Sequence, residues 1–332
     1  MMGEISSTAL GSVRIDFPCA LAALSGYSDQ PMRRICRELG AGYAIGEVLL
    51  DTFVLQVRRK RGRFLGVADD EHPVAGQIMG NTAENLVAAA CRIVEAGFDV
   101  VDLNMGCPVR KVVGRRRGGW LLSDQSVAIG MIRQVRDAVP DSVPVTVKLR
   151  RGTDDSSESR DRFFAILDGA MDAGIAGVTV HGRTVEQKYI GPSDWNFLAE
   201  VKRYTGNRIV VFGSGDLFTA SDVVRMIAET GVDGVTVARG AIGYPWIFRE
   251  CAALLRGEPL SVPPTLAEQR ELLERQFAYA VEVYGEQRAT HEMGRFFLKT
   301  AMRAHPQSDA VRGAFMAVGV RRWREVLAAW YG

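Results

Sequence analysis

Eight short apolar runs recur along the chain, at positions 20–24, 43–48, 74–79, 100–104, 143–149, 177–181, 209–212 and 234–238. Each is rich in Val, Ile or Leu, the pattern of parallel strands buried on both faces. Amphipathic stretches at 29–39, 82–96, 126–138, 160–173 and 221–230 separate most of them. Several of these stretches open on an Asp, Ser or Thr able to cap a helix. Eight alternations of strand and helix predict an α/β fold, a closed (β/α)8 TIM barrel. An open doubly wound sheet is the structural alternative, and it calls for a glycine fingerprint after the first strand. The chain reads Ala23-Leu24-Ser25-Gly26-Tyr27 there, so the barrel is favoured.

After Pro245 the pattern changes. No further strand run appears, and positions 266–284 and 291–330 read as helices, with Pro263-Pro264 as a joint. The expected organisation is an N-terminal segment over 1–16, a barrel over 17–250 and a small all-α helical domain over 255–332.

A composition of 47% hydrophobic and 24% charged residues in 332 supports a large core. Forty-one basic and 39 acidic residues leave a formal charge of +2, so only local patches can attract a polyanion. The five cysteines show no CxxC or Cys/His cluster, which argues against a zinc or iron–sulfur centre and for reduced thiols. The opening residues lack the pattern of a secretion signal, and no run is long and apolar enough for a bilayer. A cytoplasmic protein without membrane or metal partners, working as a monomer, is the expectation.

In a barrel of this kind function gathers at the C-terminal ends of the strands. Gln77 lies in the third run and Asn104 ends the fourth; Lys148 lies near the end of the fifth and His181 ends the sixth. The last two runs lead into Ser214-Gly215-Asp216 and Ala238-Arg239-Gly240. Small residues in these two loops let backbone N–H groups approach a phosphate, and Arg239 adds charge. Lys148 reads either as a strand-end lysine reaching solvent or as a mouth lysine that needs an anionic or electron-rich partner, and Gln77 and His181 taken singly also read as satisfied core polar groups. Cys107 sits in Met105-Gly106-Cys107-Pro108, where glycine permits a tight turn and proline stiffens the exit. Cys19, Cys36, Cys91 and Cys251 read as small buried hydrophobes.

The segment 104–122, NMGCPVRKVVGRRRGGWLL, resembles the signature of the dihydrouridine synthases. So do Asp29-Gln30-Pro31 with Arg33-Arg34, Gly76-Gln77-Ile78, Val147-Lys148-Leu149-Arg150, His181-Gly182-Arg183-Thr184, Gly215-Asp216 and Gly243-Tyr244-Pro245-Trp246-Ile247-Phe248. The resemblance implies a barrel holding FMN, NADPH or NADH as reductant, and a helical domain that grips tRNA, with rRNA also conceivable. Carried onto matching positions, it makes Cys107 the general acid. Ala23, Leu24, Ser25, Gln77, Lys148, His181, Ser214, Gly215, Asp216, Ala238 and Arg239 would bind the flavin, and Asn104 and Arg183 the uracil. The implied reaction is hydride transfer to one carbon of the uracil 5,6 double bond, with a protonated Cys107 thiol serving the other. The base must be splayed out of the RNA, and the runs at 58–63 and 115–117, with Arg295, Lys299, Arg303 and Arg321-Arg322-Arg324, are candidates for backbone grip.

Four departures from the family pattern stand out. Ala23-Leu24 replaces proline and methionine, Ser214 replaces asparagine, Trp120 stands where a small residue is usual, and Arg115–Arg117 replace a glycine-containing stretch. Two other readings share these residues: a flavin barrel acting on a free pyrimidine or enone, and a non-catalytic paralogue that binds RNA. Turnover without RNA marks the first, and insensitivity to loss of Cys107 marks the second.

Overall fold

A computed structural model describes residues 7–57, 65–260, 262–318 and 322–332. Its strands are β1 (Thr8–Leu10), β2 (Val13–Ile15), β3 (Cys19–Leu21), β4 (Tyr43–Ile45), β5 (Leu49–Leu50), β6 (Val74–Met79), β7 (Val100–Asn104), β8 (Val145–Arg150), β9 (Gly177–His181), β10 (Val210–Ser214) and β11 (Gly234–Val237). Strand β3 pairs in parallel with β4, β4 with β6, and each of β6 to β10 with its successor. Pairing of Val235 with Cys19 returns β11 to β3 and closes the barrel.

The helices of the barrel layer are α1 (Gln30–Glu38), α2 (Asp51–Gln56), α3 (Ala83–Glu95), α4 (Arg110–Val113), α5 (Gln125–Ala138), α6 (Ser157–Asp172), α7 (Trp195–Thr205), α8 (Ala220–Thr230) and α9 (Ile247–Leu255). Asp29 and Thr82 cap α1 and α3 as the sequence suggests. Three starts lie earlier than expected, because the capping side chains are Asp124, Ser156 and Thr219.

Side chains alternate along a strand, and in this barrel the inward set changes character with height. Ala20, Tyr43, Ala75, Val100 and Phe212 form an apolar floor. Above it lie the buried polar residues Gln77, Asp102, Thr146, Thr179 and Thr236. The antiparallel hairpin β1–β2 turns at Gly11, whose φ of 55° suits glycine, and presses Leu10 and Ile15 into the floor cluster. A Cβ on Gly177 would lie 2.5 Å from a terminal methyl of Leu10, so the plug occupies the space a side chain there would take. The 1–16 segment is thus in part the base of the barrel.

The C-terminal part comprises α10 (Leu266–Tyr284), α11 (Glu286–Thr300), α12 (Ser308–Ala317) and α13 (Trp323–Trp330). The helical stretch expected over 291–330 is three helices, the first beginning at Glu286. His305-Pro306 falls in the break before α12, where proline cannot continue a helix. These helices have their own core, including Leu273, Phe277, Met293, Phe296, Phe297, Val311, Phe315, Trp323 and Leu327. Among the described residues no helix is long and apolar enough to cross a membrane.

Ile35, Trp246 and Leu272 pack together where α1 meets α10. Lys299 Nζ reaches 2.7 Å from Asp29 Oδ2, with side-chain exposures of only 3% and 12%. Arg303 donates to the Gly240 carbonyl at 2.9 Å and the Phe218 carbonyl at 3.3 Å, clamping the loops after β11 and β10. Lys299 and Arg303, expected to face RNA, instead join the two parts; the acceptors across the joint offer an alternative to solvation. Lys299→Ala leaves a buried carboxylate unpaired and is expected to cost about 3 kcal/mol. Urea denaturation reads this as an earlier midpoint for the helical domain.

Candidate active site

A cavity of about 330 Å³ opens at the C-terminal end of the barrel. Ala23, Leu24, Ser25, Asn104, Cys107, Lys148, His181, Ser214, Gly215, Asp216, Ala238 and Arg239 line it, all of them residues singled out in the sequence. Gln77 and Arg183 do not line it. Gln77 is wholly buried one layer below, and Arg183, 3% exposed, donates to the Gly191 carbonyl and to Asp216 Oδ2 at 2.8 Å. Both support cavity residues from behind: they are inward polar groups whose hydrogen bonds are spent within the protein.

Cys107 is held from two sides. Asn104 Oδ1 accepts from the backbone N–H groups of Gly106 at 3.2 Å and Cys107 at 3.1 Å. From the other side Gly119 N–H donates to the Cys107 carbonyl at 2.9 Å. Gly118, at φ 56°, has no room for a side chain, since its Cβ would lie 2.8 Å from that of Cys107. The arginine triplet splits: Arg115 and Arg116 are exposed, whereas Arg117 is buried and donates to the buried Asp51 at 3.3 Å. Arg117 therefore anchors the loop, correcting its expected place on an RNA-facing surface. Trp120 packs partly on the core, with Arg116 5.5 Å over its ring.

Lys148 is the electrostatic focus. Burial, and then the neighbouring Arg150 charge, pull its ammonium down to about 8, with Asp102 opposing. Among the described residues Lys148 Nζ has no hydrogen-bond acceptor and no ion pair, so its protons are available to a ligand. Burial among Lys148, Arg150, Arg183 and Arg239 drives His181 down to about 2, so its imidazole is neutral in the working range.

The turn at Gly215-Asp216 is fixed by ligation of the Asp216 carboxylate. It accepts from Arg183, from Ser193 N at 2.7 Å and from Arg239 at 3.4 Å, and Trp195 Nε1 donates to the Gly215 carbonyl at 3.2 Å. Among the described residues the backbone N–H groups of Gly215, Asp216, Arg239 and Gly240 donate to no acceptor. Two strand ends thus offer free N–H donors near the Arg239 guanidinium, an arrangement able to receive an anion.

Arg150, quoted above only within a motif, and Tyr189 and Phe218 also line the cavity, and Asp102 lies buried beneath it. Arg150 lies in the cavity wall and donates to the Gly106, Thr184 and Lys188 carbonyls at 2.8–2.9 Å. It stands two residues beyond Lys148 on β8, so the strand period places it on the same inward face. Asp102 stands two residues before Asn104 on β7, by the same rule. Tyr189 and Phe218 are on loops, where no periodicity marks them; Arg239 lies 5.4 and 4.9 Å over their rings. Among the described residues no group of three His, Cys, Asp or Glu side chains is placed to hold a metal ion.

Fold and site define a (β/α)8-barrel protein whose binding chemistry is gathered at one mouth. A model of the dihydrouridine synthase family matches residues 20–322. A tRNA-dihydrouridine synthase B of Pseudomonas putida is 35% identical over 271 residues, 81% of this chain and 78% of that one. A probable tRNA-dihydrouridine synthase of Mycobacterium tuberculosis is 31% identical over 322 residues, 93% of this chain and 80% of that one. The chain belongs to the dihydrouridine synthase family and is an oxidoreductase. Among solved structures, morphinone reductase in complex with tetrahydroNAD superposes with a TM-score of 0.57 at 14% identity, over 78% of this chain and 92% of that one. Histamine dehydrogenase from Rhizobium sp. 4-9 gives 0.58 at 14% identity, covering 82% of this chain and half of that protein (50%). These two likenesses are of fold.

Proposed function

We propose that this protein reduces uridine to 5,6-dihydrouridine in tRNA, using FMN held at the barrel mouth and NADPH as the source of electrons. The observation that carries the reading is the joint placement of Cys107 and the unpartnered Lys148 ammonium around a cavity with a backbone N–H cradle. The donor set fits FMN. Free N–H groups at 215–216 and 239–240, with Arg239, suit a phosphate; the apolar wall of Ala22, Ala23 and Leu24 suits a ring face; and Lys148 suits an electron-rich ring edge. When bound there, FMN supplies the hydride.

The chain's own residues supply the rest. Cys107 holds its proton on Sγ at the cavity edge and gives it to the uracil carbon adjacent to the one that receives hydride. Asn104 and the paired glycines at 118–119 hold that thiol in place. His181, neutral, and Lys148 line the same cavity as the thiol. Gln77 and Arg183 serve through Asn104 and Asp216.

Uridine in folded tRNA reaches such a site only when extruded, which calls for grip on the neighbouring backbone. Arg110, Lys111, Arg115 and Arg116 are exposed directly beyond Cys107 and pair with no carboxylate among the described residues. They are the proposed phosphate contacts. On the helical domain Arg295 and Arg322 are exposed, though each pairs with a glutamate on its own helix, and Arg324 lies over Trp323. The run at 58–63 and Arg321 lie outside the described residues.

The test is mass spectrometry of nucleosides from total tRNA and rRNA of cells with and without the gene. Loss of dihydrouridine at a defined tRNA position on deletion, restored by the cloned gene, is expected. An unchanged profile in a strain without a second homologue overturns the proposal, and loss confined to rRNA reassigns the substrate.

A further inference from the structure

We infer that Asp102 is a positioning residue that sets the Cys107 turn through Gln77 and Asn104. The inference rests on the proposed role of Cys107. Asp102 is 1% exposed and forms no ion pair among the described residues. Its Oδ1 accepts from Thr146 Oγ1 and its Oδ2 from Gln77 Nε2, both at 2.6 Å. Gln77 Oε1 accepts from Asn104 Nδ2 at 2.7 Å, and Asn104 Oδ1 accepts from the N–H groups of Gly106 and Cys107.

The direction of this chain follows from its two ends. Backbone N–H groups can only donate, so the atom of Asn104 that faces them must be oxygen. Its nitrogen then faces Gln77, whose oxygen must face back, and the Gln77 nitrogen is left pointing down the barrel. That nitrogen needs a buried acceptor, and Asp102 is the side chain that provides one. Strand register explains how the three reach one another: Gln77 is level with Asp102, and Asp102 with Thr146. A carboxylate buried with no ion-pair partner is costly, and burial raises its pKa, with hydrogen bonds from Thr146 and Gln77 and the charge of Lys148 opposing. Stability alone does not account for its place; an acceptor at the root of the turn does.

Removing that acceptor leaves Gln77 free to reorient and Asn104 without a partner, so the turn carrying the thiol loosens. The experiment compares Asp102→Ala with Asp102→Asn. The asparagine oxygen can still accept from Gln77 while its amide donates to the Thr146 hydroxyl, which accepts as readily as it donates. The direct readout is iodoacetamide labelling of Cys107 followed by peptide mass spectrometry, with the half-buried Cys91 as internal reference.

Asp102→Ala is expected to label at Cys107 about threefold faster or more, and to lose about thirtyfold in kcat with KM for tRNA nearly unchanged. Asp102→Asn is expected to recover most of both losses. Should Asp102→Ala not fold, Thr146→Val, which removes one donor and leaves Gln77 in contact, shows the same changes at smaller size. Labelling of Cys107 at the wild-type rate in Asp102→Ala overturns the inference, whatever happens to kcat. So does an asparagine variant as impaired as the alanine one, because charge rather than acceptance would then be the contribution. If Cys107→Ala itself retains activity while Asp102→Ala still labels faster, the positioning stands and the catalytic role of Cys107 fails.

Discussion

Cys107→Ala is expected to form dihydrouridine at least about a hundredfold more slowly than the intact enzyme, with its fold and FMN content unchanged. The size of the effect follows from how few proton sources the cavity offers. The His181 imidazole is held neutral by burial among cations, being pushed to about 2. Arg150, drawn to about 10 chiefly by burial, keeps its protons and spends them on three loop carbonyls. Lys148 and the phenols of Tyr27 and Tyr189 also line the cavity, the lysine in the place of a ligand contact, so a residual rate would fall to one of these groups or to water. Single-turnover reduction of tRNA by the photoreduced enzyme checks this, because it isolates the chemical step. A rate within a few-fold of the intact enzyme would transfer the proton to Lys148, a phenol or water.

The second large effect concerns Lys148 and pH. Its ammonium is already weakened to about 8, so it sheds its proton as pH rises through that value, and contacts that need the charge go with it. FMN affinity of the apoprotein is expected to fall about tenfold between pH 7 and pH 9.5, and Lys148→Met to bind weakly and independently of pH over that range. Binding of an electron-rich group raises the lysine in turn, so the fall lies somewhat above 8. Unfolding does not mimic the effect. A lysine that releases its proton more readily when folded makes stability rise, not fall, as pH passes its folded value. Fluorescence titration with FMN, paired with thermal melts at each pH, separates the two; affinity that holds constant to pH 9.5 would remove Lys148 from the contact.

Most of the barrel was legible because each interior strand, buried on both faces, leaves an apolar run with no alternation to confuse it. Helix α7 was not read from the sequence, although Phe197, Leu198 and Val201 keep helical spacing and Asp194 caps it. The breaks within 291–330 were not legible because helical periodicity survives short interruptions, and only Pro306 marks the first of them. Within the site, residues at strand ends were legible by position. Asp102 was not, since a buried carboxylate is unusual and its meaning depends on Gln77 lying level with it on the next strand. Arg117 and Lys299 look like solvent-facing charges in sequence, and their partners Asp51 and Asp29 are too distant along the chain to be recognised.

The hairpin of Leu10 and Ile15 makes the barrel a cup rather than a tube. The cavity opens at one rim, so on the proposed function an electron donor and an RNA that both need its depth would take turns. If the proposed function holds, a double-displacement cycle is expected, in which lines of reciprocal rate against reciprocal RNA concentration run parallel as the donor is varied, and an excess of either partner slows the other.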